Sequence, residues 1–313
     1  MSIRLINALF VLLGSTLTTV PTYGQGKVEV PERFSITEEP GKHLDVLWQN
    51  KPLLRFQTAY DASSKESLEE TKKVYAHLFD STGKETLTKG AGGLFPHHRG
   101  IYLGWSKTGF GGKSYDTWHM HKGEAQIHQD FPIREAGEEE ARFTTRILWI
   151  GDADTKLLDE ERTFTLTRPN DDGSFTVDVE HALKASYGPV KLDGDPEHAG
   201  CQFRPHNDVA KAKNASYLYH KEGIDPKKDK DLPWVTLHFQ LRGKDYTVQH
   251  MCHPTIPKGN TWSAYRDYGR FGPYFVKSLE RDETLTLRYR FHISEGKTED
   301  RGIYQKRYEA FAN

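Results

Sequence analysis

Residues 174–186, with the sequence SFTVDVEHALKAS, decide the fold that this chain is expected to adopt. Phe175, Val177 and Val179 alternate with polar residues, which is the period of a strand with one buried and one solvated face. The segments ARFTTRILWIG, KLLDEERTFTLTR, WVTLHFQLRGKDYTVQHMCH and DETLTLRYRFHISEG repeat the alternation. Such a series of runs predicts strands that pair in antiparallel sheets.

The segments between these runs favour a sandwich over an α/β architecture. RGKD at 242–245 interrupts two alternating runs and predicts a hairpin, while RPNDDGS and KLDGDPEH read as turns. Helical patterns occur in SKESLEETKK, before an expected strand at 74–79, and in the closing RGIYQKRYEAFAN. The absence of regular strand–helix alternation argues against a Rossmann or TIM fold. The sequence therefore predicts an all-β fold with few short helices, a single large antiparallel β-sandwich over residues 25–313.

The first 24 residues have the layout of a secretory signal peptide. MSIRLINALFVLLGSTLTTVPTYGQG contains one early cation, Arg4, then an apolar run and small residues near Gly24. A membrane anchor is the alternative, but the run is short and is diluted by Asn7, Gly14 and several threonines. We expect an exported protein, periplasmic or secreted, whose mature chain is not inserted in a membrane.

Charge and cysteine content restrict the classes of partner. The formal net charge is −1, with 43 Lys and Arg against 44 Asp and Glu, so nothing provides the basic surplus that nucleic acid requires. Cys201 and Cys252 could pair in an oxidising compartment, or remain two buried thiols, since each sits in an alternating apolar pattern. A thiolate metal site is not expected without a closer cysteine partner.

The stretch FPHHRGIYLGW at 95–105 places two histidines and an arginine just before an expected strand. Adjacent side chains of a strand point to opposite faces, so His97 and His98 can serve one site only if Pro96 bends the chain. Histidine is the side chain best suited to proton transfer near neutral pH. We expect this turn at the rim of a cleft, with His98 and Arg99 facing it.

A second histidine pair lies in YDTWHMHKGEAQIH, residues 115–128. In an extended chain His119 and His121 would project together, as in an H-x-H metal pair for Zn, Mn or Cu. The alternative is that Trp118 and Met120 are buried while both histidines merely face solvent. Asp116 is a candidate carboxylate partner for acid/base work here.

A third polar row lies in GDPEHAGCQFRPHND, residues 194–208. Read as a strand, its apolar face carries Cys201 and its other face carries His198, Gly200, Gln202 and Arg204. A face of His, Gln and Arg with a glycine that allows close approach suits a hydroxyl- or carboxylate-rich ligand. Glu197, next to His198, is a second candidate carboxylate.

The segment QHMCHPTIPKGNTWSAYRDYGRFGPYF, residues 249–275, has the composition of a sugar-binding surface. Aromatic rings stack on the apolar faces of pyranoses, and Arg, Asp and His bind hydroxyl groups. Core packing is the alternative for about half of these aromatic residues. His250, Trp262, Arg266 and Tyr268 are the candidates that we expect to contact substrate.

Four segments, FPHHRGIYLGW, DTWHMHKG, EHAGCQFRPH and HPTIPKGNTWSAYRDYGRFG, together resemble a family of exported bacterial proteins of unknown function that often carries the label methane oxygenase PmoA. The usual pattern of that family is His-Pro-His-His-Arg-Gly, and Phe95 replaces the first histidine here, which weakens any claim of a ligand at this position. The setting of the family among polysaccharide-degrading bacteria implies glycan processing. A methane oxygenase works in a membrane complex, for which this sequence supplies no spanning interface.

The closing LERDETLTLRYRFHISEG is similar to the last strands of galactose-mutarotase-like sandwiches, which end in an LxxGExLxLxYR pattern. This resemblance implies a galactose-mutarotase-like supersandwich with a sugar cleft on one face. Acid and base in that superfamily are often His with Glu or Asp. No catalytic residue can be matched one by one.

The first prediction is an exported carbohydrate-active enzyme, a glycoside hydrolase, lyase or sugar epimerase, that needs no cofactor. Its expected catalytic residues are His98, His119 and His198, with Glu197 or Asp116 as the carboxylate. The residues expected to bind the carbohydrate substrate are His97, Arg99, Trp118, Gln202, Arg204, His250, Trp262, Arg266 and Tyr268.

Two alternatives stay open. One is a non-catalytic sugar-binding domain. The other is a metal-dependent lyase or oxidoreductase that holds a divalent metal on His119, His121 and a further histidine. The sequence contains no G-x-S-x-G elbow, P-loop, dinucleotide fingerprint or H-E-x-x-H, so serine hydrolase, nucleotide-dependent and zincin chemistry lack support.

Overall fold

The computed structural model describes residues 32–313, and the predicted signal peptide at residues 1–24 lies outside this range. Strands dominate the described part. The strands are β1 (Phe34–Glu39), β2 (His43–Trp48), β3 (Lys51–Gln57), β4 (Tyr75–Leu78), β5 (Ile101–Trp105), β6 (Lys107–Phe110), β7 (Lys113–Tyr115), β8 (Ala125–Ala136), β9 (Glu140–Ile150), β10 (Lys156–Thr167), β11 (Phe175–Lys184), β12 (Val190–Asp193), β13 (Ala199–Phe203), β14 (Ser216–Tyr219), β15 (Trp234–Leu241), β16 (Lys244–Cys252), β17 (Thr261–Trp262), β18 (Pro273–Tyr274), β19 (Lys277–Leu279) and β20 (Thr284–Glu295).

Helices are short and few in the same range. They are α1 (Lys65–Thr71), α2 (Asn207–Ala212) and α3 (Arg301–Ala312), with a 3-10 turn at Asp152–Asp154. The two helices expected from sequence correspond to α1 and α3, and the strand expected after α1 is β4. Between residues 32 and 313, no helix combines the length and apolarity that crossing a bilayer requires.

Two large antiparallel sheets contain most of the strands. The eight-stranded sheet has the order β14-β15-β16-β20-β11-β10-β9-β8, and the six-stranded sheet has the order β1-β2-β3-β4-β5-β13. A smaller, four-stranded sheet has the order β19-β12-β6-β7. The predicted hairpin joins β15 to β16, where Arg242 (φ 51°) and Gly243 (φ 81°) adopt the left-handed conformations of a type I′ turn.

The two large sheets pack face to face through aromatic side chains. Phe56 of β3 lies 5.8 Å from Phe143 of β9 and 5.6 Å from Phe164 of β10, measured between ring centroids. Trp105 of β5 and Trp149 of β9 make a further contact at 6.2 Å. All five belong to one buried hydrophobic cluster. The predicted all-β class and antiparallel sandwich are therefore confirmed.

The segment that decided the fold is β11, at the centre of the larger sheet. Its predicted inward residues Phe175, Val177 and Val179 are buried, and the alternation continues inward with His181. A histidine is tolerated there because its Nδ1 lies 2.7 Å from Oε1 of Glu160 on the neighbouring strand β10. Buried polar groups require such partners.

Glu160 is the centre of a buried polar group in the sandwich core. Its carboxylate accepts hydrogen bonds from Nε and Nη2 of Arg162 at 2.7 and 2.9 Å, and from Nε1 of Trp149 at 2.7 Å. We name Trp149, Glu160, Arg162 and His181 the Glu160 network. Of the two alternatives for the cysteines, a disulfide or two buried thiols, the structure has the second: Cys201 and Cys252 are both buried and free.

The outer face of the six-stranded sheet is covered by two chain segments rather than by solvent. Tyr102 of β5 pairs with Gln202 of β13, and both side chains point away from the sandwich core. A Cβ at Gly104 would lie 2.5 Å from the carbonyl oxygen of Thr117, and a Cβ at Gly200 (φ +84°) would lie 1.9 Å from that of Pro273. Gly200 thus admits the chain's own segment, where the sequence suggested a ligand.

Candidate active site

The His-His-Arg run forms a turn that directs two imidazoles to one place. The amide of His98 donates to the carbonyl of Phe95 at 3.0 Å, and Phe95 itself has a φ of 53°. As a result the ring centroids of His97 and His98 lie only 4.2 Å apart. The bend that the sequence required of Pro96 is therefore present, and β5 follows it as expected.

Arg99 does not face a cleft, contrary to the expectation from sequence. Its Nε donates to the carbonyl of Pro96 at 3.2 Å, its Nη1 donates to that of Glu70 at 2.7 Å, and its Nη2 donates to that of Glu69. The side chain is fully buried. Every guanidinium nitrogen is thus used to fasten the histidine turn to the end of α1, which makes Arg99 a positioning residue.

His119 is oriented by the carboxylate of Asp116. The Nδ1 of His119 lies 2.8 Å from Oδ2 of Asp116, whose Oδ1 accepts the backbone amides of Trp118 and His119. Burial raises the pKa of Asp116, but the hydrogen bonds from His119 lower it more, so that the carboxyl is ionised at neutral pH. An ionised carboxylate only accepts, so Nδ1 of His119 carries a proton and Nε2 is left as the basic atom.

The chain around His119 is a turn and not the extended segment assumed from sequence. The amide of Met120 donates to the carbonyl of Asp116 at 2.9 Å, and Met120 has a φ of 58°. The rings of His119 and His121 nevertheless stack 5.5 Å apart, as the H-x-H spacing predicted. Trp118 and Met120 are buried, as the alternative interpretation of this segment expected.

His198 repeats the same arrangement with a partner that sequence reasoning missed. Its Nδ1 lies 2.9 and 3.0 Å from the two carboxylate oxygens of Asp195. The sequence suggested Glu197 because it is the neighbour of His198, but the turn brings the residue three positions back instead. The sequence does contain a signal for this pairing, since the spacing Asp-x-x-His occurs both in DTWH and in DPEH.

Four histidines from three separate chain segments meet at this point. His119 lies at the centre, with ring centroids 4.4 Å from His97, 5.0 Å from His198 and 5.5 Å from His121. We name these four the histidine cluster. Burial, followed by the charges of Lys73 and His119, lowers the pKa of His97 to about 2, so His97 is neutral at physiological pH.

The geometry of the cluster bears on the predicted divalent metal. In the range 32–313, no group of three or more His, Cys, Asp or Glu side chains stands in a position to hold a metal ion. A metal on His119 and His121 stays a prediction.

Glu197 is held by two arginines rather than by a histidine. It accepts from Nη2 of Arg266 at 2.7 Å, from Nη2 of Arg270 at 3.0 Å and from the hydroxyl of Tyr265. Burial raises the pKa of Glu197, but the hydrogen bonds from Arg266 and Tyr265 lower it more. An ionised carboxylate with three donors is poorly suited to donate a proton, so we assign Glu197 to positioning the arginines.

Behind the histidine cluster lies a second, fully buried polar group. The ring of His98 lies 5.8 Å from that of Trp118 and stacks 6.1 Å from that of Tyr268, while the guanidinium of Arg204 lies 4.9 Å from the Tyr268 ring. Burial, followed by the charges of Arg270 and His97, holds the pKa of His98 well below its usual range. We name the following residues the Arg204 cluster: His98, Tyr102, Trp118, Arg204 and Arg270.

Other predicted site residues divide between this cluster and the core. Gln202 accepts from Nη1 of Arg270 at 3.0 Å and so positions it. His250 lies within the sandwich core, with its ring 4.2 Å from Phe291 and 5.1 Å from Trp262. Trp262 is likewise buried and donates its Nε1 to the carbonyl of Leu232. The structure does not bring His250 and Trp262 together with the histidine cluster.

Sequence comparison gives a family match over most of the chain. Residues 43–307 match the model described as "Family of unknown function (DUF6807)". A search of curated proteins gave no match.

Three solved structures are similar at low identity, and each protein is named for a reaction on a carbohydrate. A heparan sulfate lyase HepC mutant from Pedobacter heparinus gives a TM-score of 0.40 at 9% identity, covering 82% of this chain and 34% of its own. The galactosidase domain of an alpha-galactosidase-sucrose kinase gives 0.40 at 10%, covering 84% and 42%. An alpha-galactosidase from Lactobacillus brevis gives 0.36 at 6%, covering 84% and 38%. The chain therefore spans less than half the length of each.

Proposed function

This chain belongs to the family of unknown function DUF6807, and from its histidine cluster we propose that it is a carbohydrate-active enzyme that works by acid/base chemistry. The reaction classes that fit are glycoside hydrolysis, elimination and epimerisation. All three need one group that accepts a proton and one that donates a proton at a sugar ring. We propose further that the protein acts after export, in the periplasm or outside the cell.

The observation that carries this proposal is the pair of imidazoles oriented by carboxylates. His119 and His198 each have Nδ1 occupied by an aspartate, and their ring centroids lie 5.0 Å apart. With Nδ1 fixed, each ring presents Nε2 to its surroundings. One neutral imidazole accepts a proton from the substrate, or in hydrolysis from the attacking water, while the other, protonated, donates one to the substrate, so the pair ends the step with its total proton count unchanged.

Aromatic rings beside this pair favour a sugar as the substrate. Phe95 is 37% exposed and its ring lies 5.1 Å from that of the half-buried Tyr268. The Phe95 ring also lies 6.3 Å from that of His97 in the histidine cluster, whereas Trp118, 6.4 Å from the His198 ring, is buried and offers no exposed face. Exposed aromatic faces next to ionisable groups are typical of sites that stack pyranose rings and bind their hydroxyl groups.

The test is a screen of neutral, acidic and oxidised glycosides, followed by His119→Gln and His198→Gln on any substrate found. We expect each variant to lose about 10²- to 10⁴-fold in kcat, the range for removal of a general acid or base. The matched control is His238→Gln, because Nε2 of His238 also bonds an aspartate, Asp245, at 2.9 Å, but on the hairpin of β15 and β16. The control should keep wild-type turnover.

Two results would contradict the proposal. Full turnover in both His119→Gln and His198→Gln would place the chemistry elsewhere. Sugar binding without turnover of any glycoside would favour the alternative, a non-catalytic sugar-binding domain.

A second candidate is metal-assisted chemistry at the same cluster. Two imidazoles on one tetrahedral metal, with metal–nitrogen distances near 2.1 Å, have ring centroids about 5 Å apart, and His119 lies 4.4 and 5.0 Å from His97 and His198. This spacing suits pairs of ligands, although no three-ligand group is in place within residues 32–313. Carboxylates on the remote nitrogens are also common around metal-bound histidines. Metal analysis of the purified protein separates the candidates: stoichiometric metal, with activity lost on chelation, favours the second, and trace metal with activity intact removes it.

A further inference from the structure

Unpartnered hydrogen-bonding atoms concentrate in the Arg204 cluster. Within the described range, buried nitrogen and oxygen atoms with no hydrogen-bond partner include the following: Nδ1 and Nε2 of His98, Oη of Tyr102, Nε1 of Trp118, Nε and Nη2 of Arg204, and Nε of Arg270. Except for one imidazole nitrogen, each of these atoms can donate a proton. Buried donors left without acceptors are costly, so their concentration at one place requires an explanation.

The free edge of Arg204 has the form of a carboxylate receptor. Elsewhere in this protein the same edge, Nε with Nη2, holds a carboxylate by two parallel bonds. Arg162 binds Glu160 in this way at 2.7 and 2.9 Å, and Arg290 binds Asp178 at 2.6 and 2.7 Å. In Arg204 only Nη1 is used, on the carbonyls of Pro205 and Tyr268. The two-pronged edge that matches a carboxylate is left unused.

The charge balance around Arg204 also favours an anion. In the part of the chain that the structure describes, no carboxylate lies within ion-pair distance of Arg204, although its side chain is fully buried. Arg270 shares its one carboxylate, Glu197, with Arg266. Nζ of Lys73 lies 4.9 Å from the Tyr102 ring and 5.5 Å from the Trp118 ring. A buried cation is stable when an anion pairs with it.

We propose that the Arg204 cluster binds the carboxylate of an acidic sugar, so that the substrate is a uronic acid or a uronide. The edge of Arg204 takes the two carboxylate oxygens, and Nε of Arg270, Oη of Tyr102 and Nε1 of Trp118 complete the site. The sugar ring then extends from His98 past Tyr268 towards the histidine cluster. This assignment rests on the proposed function and adds the substrate class to it.

The test is isothermal titration calorimetry of the full chain with methyl glucuronide and methyl galacturonide, each against its neutral parent glycoside and against sodium sulfate. We expect at least one uronide to bind tenfold or more tightly than its neutral parent and than sulfate. Arg204→Met should abolish the preference, and Arg204→Lys, which keeps the charge but not the fork, should keep only part of it. Arg290→Met is the matched control, since its edge is already occupied by Asp178, and it should bind as wild type.

Equal affinity for uronide and neutral glycoside in the wild type would overturn the proposal without any variant, and so would sulfate that binds as tightly as the uronides. An Arg204→Met protein that folds and keeps the preference would also overturn it. Failure here is distinguishable from failure of the proposed function. If His119→Gln abolishes turnover of a neutral glycoside while no uronide is preferred, only the carboxylate assignment falls.

Discussion

Arg162 and Arg204 are equally buried in this protein, at 1% and 0% exposure, but their guanidinium groups have opposite surroundings. Arg162 lies in the Glu160 network, where a carboxylate balances its charge and two further side chains bind the same carboxylate. One nitrogen of Arg162 lacks a partner, yet its charge is neutralised. Arg204 has carbonyl partners on one nitrogen only, and no carboxylate of residues 32–313 forms an ion pair with it.

This contrast separates two uses of a buried charge. A closed network forms with the fold and is complete without any ligand, so removing one member leaves its partner buried and unpaired. An open cluster is kept unfinished at some cost in stability, as binding and catalytic sites often are. The predictions below test whether the two regions behave as closed and open.

The largest difference is expected in stability. Arg162→Met should lower the free energy of unfolding by roughly 3–5 kcal/mol, because Glu160 loses its partner in the core. Arg204→Met should lower it by less, about 1–2 kcal/mol, because it removes a buried charge that no carboxylate balances and leaves only the carbonyls of Pro205 and Tyr268 without their donor. Denaturant unfolding of both variants measures the two values. Equal losses would mean that Arg204 is as much a part of the fold as Arg162.

Acid should weaken the closed network and not the open cluster. Burial raises the pKa of Glu160, but the charge of Arg162 and the hydrogen bond from His181 lower it more, to about 2, against 4.5 in the unfolded chain. Its contribution, about 3 kcal/mol, is therefore present above pH 4.5 and is lost as the pH falls from 4.5 towards 2. Unfolding measured across this range should show the loss in wild type and not in Glu160→Gln.

Arg204 provides the control for that pH series. Burial lowers the pKa of Arg204 to about 10, so it stays protonated throughout the acid range. Arg204→Met should therefore keep the acid-side slope of wild type. If Glu160→Gln kept the slope instead, the low pKa of Glu160 would not be a source of stability.

Ligand should stabilise the protein through the open cluster alone. At a uronide concentration of 100 times Kd, the free energy of unfolding should rise by about 2.7 kcal/mol. The increment should be the same in Glu160→Gln, whose substitution lies in the core, and should fall to about 1.4 kcal/mol or less in Arg204→Met, which binds the uronide only as tightly as the neutral glycoside. Denaturant unfolding with and without the methyl uronide measures it. An undiminished increment in Arg204→Met would remove the arginine from the binding site.

The smallest effect is expected at Phe95, and it tests whether this residue belongs to the binding site or to the folding core. Its left-handed φ of 53° carries strain of about 1–2 kcal/mol, and Phe95→Gly relieves that strain while losing the contact with Tyr268. We expect a net change in stability within about 1 kcal/mol, and sugar affinity weakened a few-fold because the exposed ring is gone. Unfolding and calorimetry check both; a loss above about 2 kcal/mol would place Phe95 in the folding core.

The fold was predictable because its signals are local. The alternation in β11, the turn residues of the β15–β16 hairpin and the pattern of α3 each depend on neighbours in sequence. His181 and His250 show the limit of this reasoning. Both are polar residues of strands, and both are buried, one with a carboxylate partner and one among aromatic rings. Which face of a strand is buried depends on how the sheets pack against each other, and residues far apart in sequence determine that packing.

The site was predictable as a set of segments but not as an arrangement. His97, His119 and His198 were singled out from clustering, and the structure brings them together. Asp195 was missed because adjacency favoured Glu197, although a turn reaches back three residues. Arg99 was misassigned because its partners are main-chain carbonyls, and the residue types in a sequence do not indicate where such carbonyls will lie.

Arg99 also links the dynamics of two segments that share no sheet. Helix α1 has no buried residue, so its own packing gives it little protection against local unfolding. The bonds from Arg99 to the carbonyls of Glu69 and Glu70 make the opening of its last turn and the release of the histidine turn one event. In hydrogen exchange the amides of both segments should therefore exchange at a common rate, and ligand held by His98 should slow exchange in a helix that it does not touch.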